Sequence, residues 1–257
     1  MTTSNTEATG DELDGPFGLP VTVDPSDPRN RLADQLRRVI SATVGKRIAD
    51  ADLDSAADVV SRLADQLEQA AGEGKRPRGQ PNAQGHPQDL FPTSPVVGYS
   101  NPIAPPVRLW AVVGEGGTLE MRGRAVFGYA YEGPPTCVHG GVIAELFDEL
   151  LGSTNIITGH AGMTGTLTIK YRKPTPILVP LDLEARQVSI EGRKIYAWGA
   201  IYHEGVLTAE ADGIFIEIKQ ERMREIVEEN AKGAPEEVVD AQLLSFMEDG
   251  GEIISSD

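Results

Sequence analysis

The chain has 257 residues, a formal net charge of −16 at pH 7 and a pI of about 4.7. So acidic a chain excludes non-specific nucleic-acid binding, which needs a basic surface, and gives no general attraction to an anionic membrane. Hydrophobic residues make up 40% of the sequence, which is enough for a sizeable core, and the single cysteine excludes an intrachain disulfide.

Residues 1–26 are polar, acidic and rich in Gly, Pro, Ser and Thr, and this composition predicts a disordered N-terminal segment. They have neither the basic n-region nor the apolar h-region of a signal peptide. No apolar run in the chain reaches the roughly 18 residues that would suggest a membrane span. The cytoplasm is therefore the expected location.

A helical hairpin is predicted over residues 27–72. Asp27 followed by Pro28 is typical of an N-cap and a first helical residue. The first helix has apolar residues at helical spacing: Leu32, Leu36, Val39, Ile40, Val44 and Ile48. The second helix, from about Asp52, has a nearly heptad stripe: Leu53, Ala56, Val60, Leu63, Leu67 and Ala70. We expect the hairpin to pack on its own body or on a partner chain, with a lid over the active site as the alternative. Four basic residues are expected on a solvated face: Arg37, Arg38, Lys46 and Arg47.

Residues 73–95 are predicted to form a linker or an extended wrapping segment. The stretch from Gly72 to Pro95 holds five prolines and four glycines, which interrupt regular structure. At the other end of the chain, residues 220–257 are acidic and weakly amphipathic, and they predict a short helix and a loose tail.

Between these segments, residues 96–219 have the pattern of strands around one helix. The sequence predicts a strand over 118–131, a turn-rich approach, a helix over 142–151 and a loop over 152–162. Four further strands are predicted over 163–173, 181–190, 194–203 and 206–218. This order predicts an α+β domain in which a curved antiparallel sheet wraps around a single long helix.

The tripeptide His139-Gly140-Gly141 stands where the predicted loop becomes the helix. Glycine lets a ligand approach the backbone closely, and the first amides of a helix have no intrahelical acceptor and lie at its positive end. These amides therefore suit a developing oxyanion, such as that of a thioester carbonyl under attack. The alternative is a glycine-rich helix start that His139 merely caps and orients.

Asp148 is the second candidate, because it lies in the mostly apolar run VIAELFDELL. A carboxylate in such company is costly unless it is paired or used. Glu145 and Glu149 are four residues apart and are predicted to share a solvated face, whereas Asp148 is turned about 100° from Glu149. A partly exposed or salt-bridged Asp148 without a catalytic role is the alternative.

The spacing of Gly140 and Asp148 constrains how both could act. Eight residues of helix separate them by roughly 12 Å along the axis, too far for both to serve one carbonyl within a chain. If both are catalytic, two copies of the helix must run side by side in opposite directions. This predicts an obligate homodimer with two composite sites. Whether such dimers pair further, into a dimer of dimers, stays open.

The run YEGPPTCVHGGVIAELFDELLG and the following MTGTLTIKYRKPTPI resemble PaaI-type hotdog-fold acyl-CoA thioesterases. The resemblance is strongest to the thioesterase superfamily member 4 (carboxyl-terminal modulator protein) branch, with Tyr171, Pro174 and Pro176 in the expected places. It covers residues 96–219, about half of the chain. It implies a hotdog fold and the hydrolysis of a fatty acyl-CoA to free acid and CoA, with no cofactor apart from the CoA of the substrate.

The resemblance also implies roles for individual residues. The amide of Gly140, helped by that of Gly141, would polarise the thioester carbonyl, and Asp148 would act as general base or as nucleophile. Thr164 on the next strand would hold the water or the carboxylate, with Thr166 as the alternative, since strand alternation places both threonines on one face. The faces predicted for this strand are Thr164, Thr166 and Thr168 on one side and Leu167, Ile169 and Tyr171 on the other.

Five basic residues form the densest basic cluster of the strand region and are candidates for contacts with CoA phosphates: Lys170, Arg172, Lys173, Arg193 and Lys194. Ordinary exposed strand charge is the alternative for each. Cys137 is expected to be a packing residue, and the chain has no metal-ligand spacing, phosphate loop or dinucleotide fingerprint. Two rival functions stay open: an enoyl-CoA hydratase-like enzyme, and an acyl-CoA-binding or regulatory module without catalysis.

Overall fold

The computed structural model of the chain describes residues 26–71, 91–160 and 162–219, together with 221, 222, 225, 226 and 229. The predicted disordered segment lies outside the described residues except for Ser26, and so does the predicted linker up to residue 90. In the predicted C-terminal segment the five described residues are helical, and the others lie outside the description.

Six strands form one antiparallel sheet, and one long helix lies against it. The strands are β1 Val107–Val113, β2 Leu119–Val126, β3 Gly162–Tyr171, β4 Pro180–Glu191, β5 Lys194–His203 and β6 Val206–Glu217. The helices are α1 Pro28–Gly45, α2 Asp50–Ala70 and α3 Gly140–Ile157. The strand order is β1-β2-β4-β5-β6-β3, so β3 is an edge strand. The apolar face of α3 contributes Phe147, Leu150 and Leu151, all fully buried, to the core between helix and sheet. The predicted α+β hotdog architecture is confirmed.

Strand β1 was not among the predicted strands. Its sequence, VRLWAVV, does not alternate apolar and polar residues, so periodicity gives no signal for a half-buried strand there. Its one charged residue, Arg108, is buried like its apolar neighbours. The guanidinium of Arg108 lies over the ring of Tyr99, 4.3 Å from the ring centroid, and this contact allows a charged residue inside the strand. Burial nevertheless lowers the pKa of Arg108. After β2, residues 129–131 form a 3-10 turn and do not continue the predicted strand.

Helix α3 extends six residues beyond its predicted end at Leu151, through a stretch that was predicted to be a loop. The added turns hold Gly152 and the polar Ser153, Thr154 and Asn155, the last three of which are buried. Thr154 Oγ1 donates a hydrogen bond to the carbonyl of Leu150 at 2.8 Å, so its hydroxyl is satisfied within the helix. Packing against the sheet therefore overrides the weak helix propensity of this stretch.

The predicted start of α1 is confirmed, because Asp27 Oδ1 accepts a hydrogen bond from the amide of Arg29 at 2.7 Å. The prediction that Arg37 belongs to a solvated face is wrong. Its guanidinium donates to the carbonyls of Tyr99 and Asn101, both at 2.7 Å, in the loop before β1. Charge-assisted hydrogen bonds to buried carbonyls explain why the side chain leaves water, and they fix α1 to the body.

Helix α2 begins at Asp50, two residues before its predicted start, and has no buried residue. Leu63 is its one half-buried side chain, and every other residue of the helix is exposed. Within the described part of the protomer, α1 packs on its own body and α2 does not. Packing on a partner chain, the other half of the prediction, stays a prediction for α2. Among the described residues no helix is long and apolar enough to cross a membrane.

Candidate active site

The N-terminus of α3 has one amide with no partner. His139 is the N-cap, and its Nδ1 accepts a hydrogen bond from the amide of Gly141 at 3.0 Å. The amide of Gly140 has no acceptor among the described residues, while its carbonyl accepts from the hydroxyl of Tyr171 at 2.8 Å. The predicted help from the Gly141 amide is therefore not available in this conformation. A single free N–H remains at the positive end of the helix.

The carboxylate of Asp148 is exposed and is held by Thr164 of β3. Thr164 Oγ1 donates to Asp148 Oδ1 at 2.6 Å, a short charge-assisted hydrogen bond. In the described part of the chain the other carboxylate oxygen, Oδ2, accepts no hydrogen bond. One oxygen is thus fixed and the other is free to meet water or a substrate. Asp148 does not take part in a salt bridge with any described residue, which removes the salt-bridged alternative there.

A β-bulge at Gly165 decides which threonine faces Asp148. Thr164 lies opposite the buried Phe215, whereas Thr166 lies opposite Ile214, so Gly165 has no partner of its own. Because directly opposite residues share a face, the bulge reverses the alternation between the two threonines. The inner face holds Thr164, Leu167, Ile169 and Tyr171, and the outer face holds Thr166, Thr168 and Lys170. The prediction that Thr166 shares the face of Thr164 is wrong.

This geometry predicts different effects for two matched substitutions. Thr164→Val should lower kcat by roughly 10- to 100-fold for any reaction in which Asp148 acts as base or nucleophile, since a hydrogen bond to a charged group contributes ~1.5–3 kcal/mol. Thr166→Val removes the same hydroxyl from the outer face and should leave kcat unchanged. Steady-state kinetics of the two variants checks this. Equal losses in both would contradict the assignment of faces.

The prediction that Glu149 lies on a solvated face is wrong. It is half-buried under the loop that precedes β1, and Ser94 Oγ donates to its Oε2 at 3.3 Å. Burial raises the pKa of Glu149, and the charges of Asp148 and Glu145 act in the same direction against the hydrogen bond from Ser94. Glu145 itself is exposed as predicted. A partly desolvated carboxylate thus stands next to Asp148 on the same helix.

Glu149→Gln should stabilise the protein at neutral pH. The raised pKa in the folded state means that stability is lost as the pH rises from the unfolded value of about 4.3 through the folded value. Glutamine keeps the shape and an acceptor for Ser94 without the buried charge. The difference between variant and wild type should therefore shrink as the pH falls to 4. Urea unfolding at several pH values measures it, with the exposed Glu145→Gln as control; a difference independent of pH would count against the desolvated carboxylate.

The five candidate phosphate-binding residues have different partners. Lys170 Nζ pairs with Asp212 Oδ2 at 3.0 Å, and Arg172 Nε donates to Glu210 Oε1 at 2.9 Å. The other three are Lys173, Arg193 and Lys194; Arg193 donates only to the carbonyl of Glu217, at 3.4 Å, and the two lysines form no ion pair with a described carboxylate. Lys173 and Lys194 therefore have fewer interactions with described residues than the other three basic residues.

These basic residues do not form one cluster in a protomer. Lys194 at the start of β5 and Met163 at the start of β3 both lie level with Ile216 of β6. Lys170 is seven strand residues beyond Met163, about 23 Å away at the usual rise. The predicted cluster is thus two groups at opposite ends of the sheet. Strands β3 and β5 run parallel on either side of β6, and one group lies at the end of β3 whereas the other lies at the start of β5.

Two further predictions concern residues outside this site. Cys137 is half-buried and forms an isolated β-bridge through its backbone with Pro176, beside the start of α3. No group of three His, Cys, Asp or Glu side chains in the described ranges is placed to hold a metal ion. The chemistry available here therefore rests on Asp148, Thr164 and the Gly140 amide.

Comparison with known proteins adds relatives of one kind. No family model matches the chain. A crystal structure described as that of a thioesterase superfamily protein is 33% identical, covers 76% of this chain and 97% of its own, and superposes with a TM-score of 0.66. Acyl-coenzyme A thioesterase THEM4 of Mus musculus is 37% identical over 108 residues, which are 40% of this chain and 46% of that protein. Acyl-coenzyme A thioesterase THEM5 of Homo sapiens is 32% identical over 95 residues, 35% of this chain and 37% of that protein.

The sheet, its single long helix and a 33% identical relative that is covered almost throughout define the class. The chain belongs to the thioesterase superfamily, with the hotdog fold. Within that superfamily it lies near THEM4, as the sequence predicts. The chain spans less than half the length of these curated relatives.

Proposed function

We propose that the protein is an acyl-CoA thioesterase that hydrolyses the thioester of a fatty acyl-CoA to the free acid and CoA. The observation that carries this proposal is the Asp148 carboxylate, exposed on α3 with one oxygen fixed by Thr164 and the other free. The unbonded Gly140 amide at the start of the same helix is the second half of the chemistry. A base or nucleophile and an oxyanion donor are the groups that acyl transfer to water needs.

In the general-base route, Asp148 takes a proton from water as the water oxygen forms a bond to the thioester carbon. The Gly140 N–H donates to the carbonyl oxygen as it becomes an oxyanion. The C–S bond then breaks, and the proton returns to the thiolate of CoA. In the nucleophilic route, the Asp148 carboxylate attacks the thioester carbon, the C–S bond breaks, and CoA leaves as a thiolate that takes a proton from solvent. Water then hydrolyses the resulting mixed anhydride, which gives the free acid, returns a proton to solvent and regenerates the Asp148 carboxylate. Thr164 holds the carboxylate in either route, and the two routes remain alternatives.

An obligate homodimer completes the proposed site. Gly140 and Asp148 lie about 12 Å apart along one helix, so a single α3 cannot bring both to one carbonyl. Both residues lie beside β3, through Tyr171 and Thr164. Strand β3 is an edge strand of ten residues, and no described strand of the protomer pairs with its outer side. A long open edge favours pairing with another strand. Pairing of β3 with its copy across a two-fold axis sets the two α3 helices antiparallel, with Gly140 facing Asp148 of the partner subunit.

The same dimer would bring the two basic groups together. Antiparallel pairing of β3 with its copy sets the Lys170 end level with the start of the partner's β3. Lys194 of the partner subunit then stands three strand spacings away, about 14 Å. We infer that the phosphates of CoA lie between Lys170 and Lys173 of one protomer and Arg193 and Lys194 of its partner. The two basic groups would then bind the same CoA, although they lie at opposite ends of the sheet within one protomer.

A thiol-release assay over saturated acyl-CoA substrates of increasing chain length tests the proposed activity. Release of free CoA that matches the loss of thioester is the expected result. A 2-enoyl-CoA is included as a further substrate, because an enoyl-CoA hydratase would add water to its double bond without releasing a thiol and would leave the saturated substrates unchanged. A binding module would neither hydrate the 2-enoyl-CoA nor release a thiol. Absence of thiol release with every chain length would contradict the proposal.

A further inference from the structure

Helix α2 exposes an apolar stripe that no described part of its own protomer covers. Its heptad positions a and d are Leu53, Ala56, Val60, Leu63, Leu67 and Ala70. Leu67 is 44% exposed, and Val59 beside the stripe is 55% exposed. Most of the stability of a helix in a protein comes from the packing of its amphipathic face, and α2 is a helix of 21 residues with no buried residue. We therefore expect another part of a protein to pack against this stripe.

The charges of α2 lie away from this stripe. The flanking e and g positions from Ala57 to Gln66 are uncharged: Ala57, Val59, Ala64 and Gln66. The charged residues after Leu53 fall at the outer b, c and f positions: Asp54, Asp58, Arg62, Asp65 and Glu68. An uncharged face of four heptad positions is wider than the seam of a two-stranded coiled coil.

Helix α1 of the same chain does not pack against the apolar stripe of α2. Lys46 and Ala49 are both extended, so the short connection directs α2 away, and α1 turns Asn30 and Ala33 towards the body. The two segments nevertheless have opposite charge. Residues 28–47 carry six basic and one acidic side chain, whereas α2 carries six acidic and one basic. Five of those basic residues are exposed on or just after α1: Arg29, Arg31, Arg38, Lys46 and Arg47.

We propose that α2 packs against the α1–α2 segment of a second copy of this chain. The two α2 helices meet antiparallel along their apolar stripes, which opposes their macrodipoles favourably. The basic face of the second copy's α1 lies along the acidic outer face of α2. Charge favours this occupant, because the basic residues of the second copy's α1 offset the like charge of the two α2 helices. An anionic membrane, or an acidic partner without such a basic segment, would be repelled by α2. The association involves neither β3 nor α3 and does not depend on catalysis.

Disulfide trapping tests the proposal. In a full-length Cys137→Ser chain, Val60→Cys places the only thiol at the midpoint of α2, where an antiparallel pair brings the two copies of residue 60 together. Mild oxidation should shift most of this chain to twice the monomer mass on non-reducing gels. Ser61→Cys, on the outer face, is the matched control and should stay monomeric on the same gel.

The direction of packing and the charge pairing have their own controls. Leu53→Cys alone should not cross-link, but a mixture of Leu53→Cys and Leu67→Cys chains should, because these residues meet only in an antiparallel pair. Arg38→Glu with Arg47→Glu should lower the Val60→Cys yield, and adding Asp58→Lys with Asp65→Lys should restore it. Equal cross-linking at residues 60 and 61, or none at 60, would overturn the proposal and leave the thioesterase assignment untouched.

Discussion

Asp148→Asn should lower kcat for acyl-CoA hydrolysis by roughly 10²- to 10⁴-fold, the usual contribution of a positioned general base. Asparagine keeps an oxygen that can accept from the Thr164 hydroxyl, so the side chain should stay where the carboxylate was. What is lost is the ability to take a proton from water or to form an anhydride. Steady-state kinetics by thiol release, together with the molar mass in solution, measures the loss and verifies that the assembly is intact.

Glu145→Gln is the matched control for this variant. It removes a carboxylate from the same helix, three residues earlier, where the side chain is exposed and has no partner in the proposed chemistry. Its kcat should equal that of the wild type. Turnover of Asp148→Asn near the wild-type level would sink the proposed role of the aspartate, whichever route the reaction takes.

The parts of the fold that the sequence predicts well are those in which local and tertiary preferences agree. Asp27 and Pro28 cap a helix wherever it packs, and the start of β5 at Lys194 follows a glycine turn that any hairpin would use. The His139-Gly140-Gly141 motif was likewise placed at a helix start, because glycines before an apolar periodic run mark such a boundary. In each case the residues that give the signal lie within a few positions of one another in the sequence.

The face of Thr166 could not be predicted from alternation alone, because one inserted residue reverses it. The available signal was Gly165, since a glycine inside a strand pattern often marks a bulge. A Cβ at this position would stand 3.2 Å from Ile216 Cγ1 and 3.3 Å from the carbonyl of Ile214, so the close approach of β6 favours glycine there. The bulge is what turns Thr164, and not Thr166, to the Asp148 carboxylate.

Other errors came from contacts between residues distant in sequence. Arg37 reaches carbonyls more than 60 residues away, and Glu149 meets Ser94 of a loop that no periodicity assigns to α3. A charged residue on an amphipathic helix is usually solvated, so each of these positions is an exception that only the assembled fold explains. The exposed stripe of α2 is the reverse case: the sequence predicts its pattern correctly, and no described part of the protomer covers it.

The second large effect concerns the oxyanion donor and its location in the other chain. Gly140→Pro removes the free N–H at the first position of α3, where proline is tolerated because that amide has no helical acceptor. The loss of one oxyanion donor should lower kcat by about 10²- to 10³-fold. Gly140→Ala adds a Cβ 3.4 Å from the Tyr171 hydroxyl, an ordinary contact, and keeps the N–H, so its kcat should stay close to that of the wild type.

Mixing chains tells whether the donor and the carboxylate belong to different protomers. After subunit exchange, Gly140→Pro and Asp148→Asn chains form mixed dimers in which one of the two sites has a wild-type glycine and a wild-type aspartate. Random pairing at equal amounts should restore about a quarter of the wild-type activity. The control carries both substitutions in one chain mixed with wild type: a composite site leaves such mixed dimers inactive, whereas a site within one chain leaves their wild-type half active. Only a cross-dimer site gains activity in the first mixture and loses it in the second.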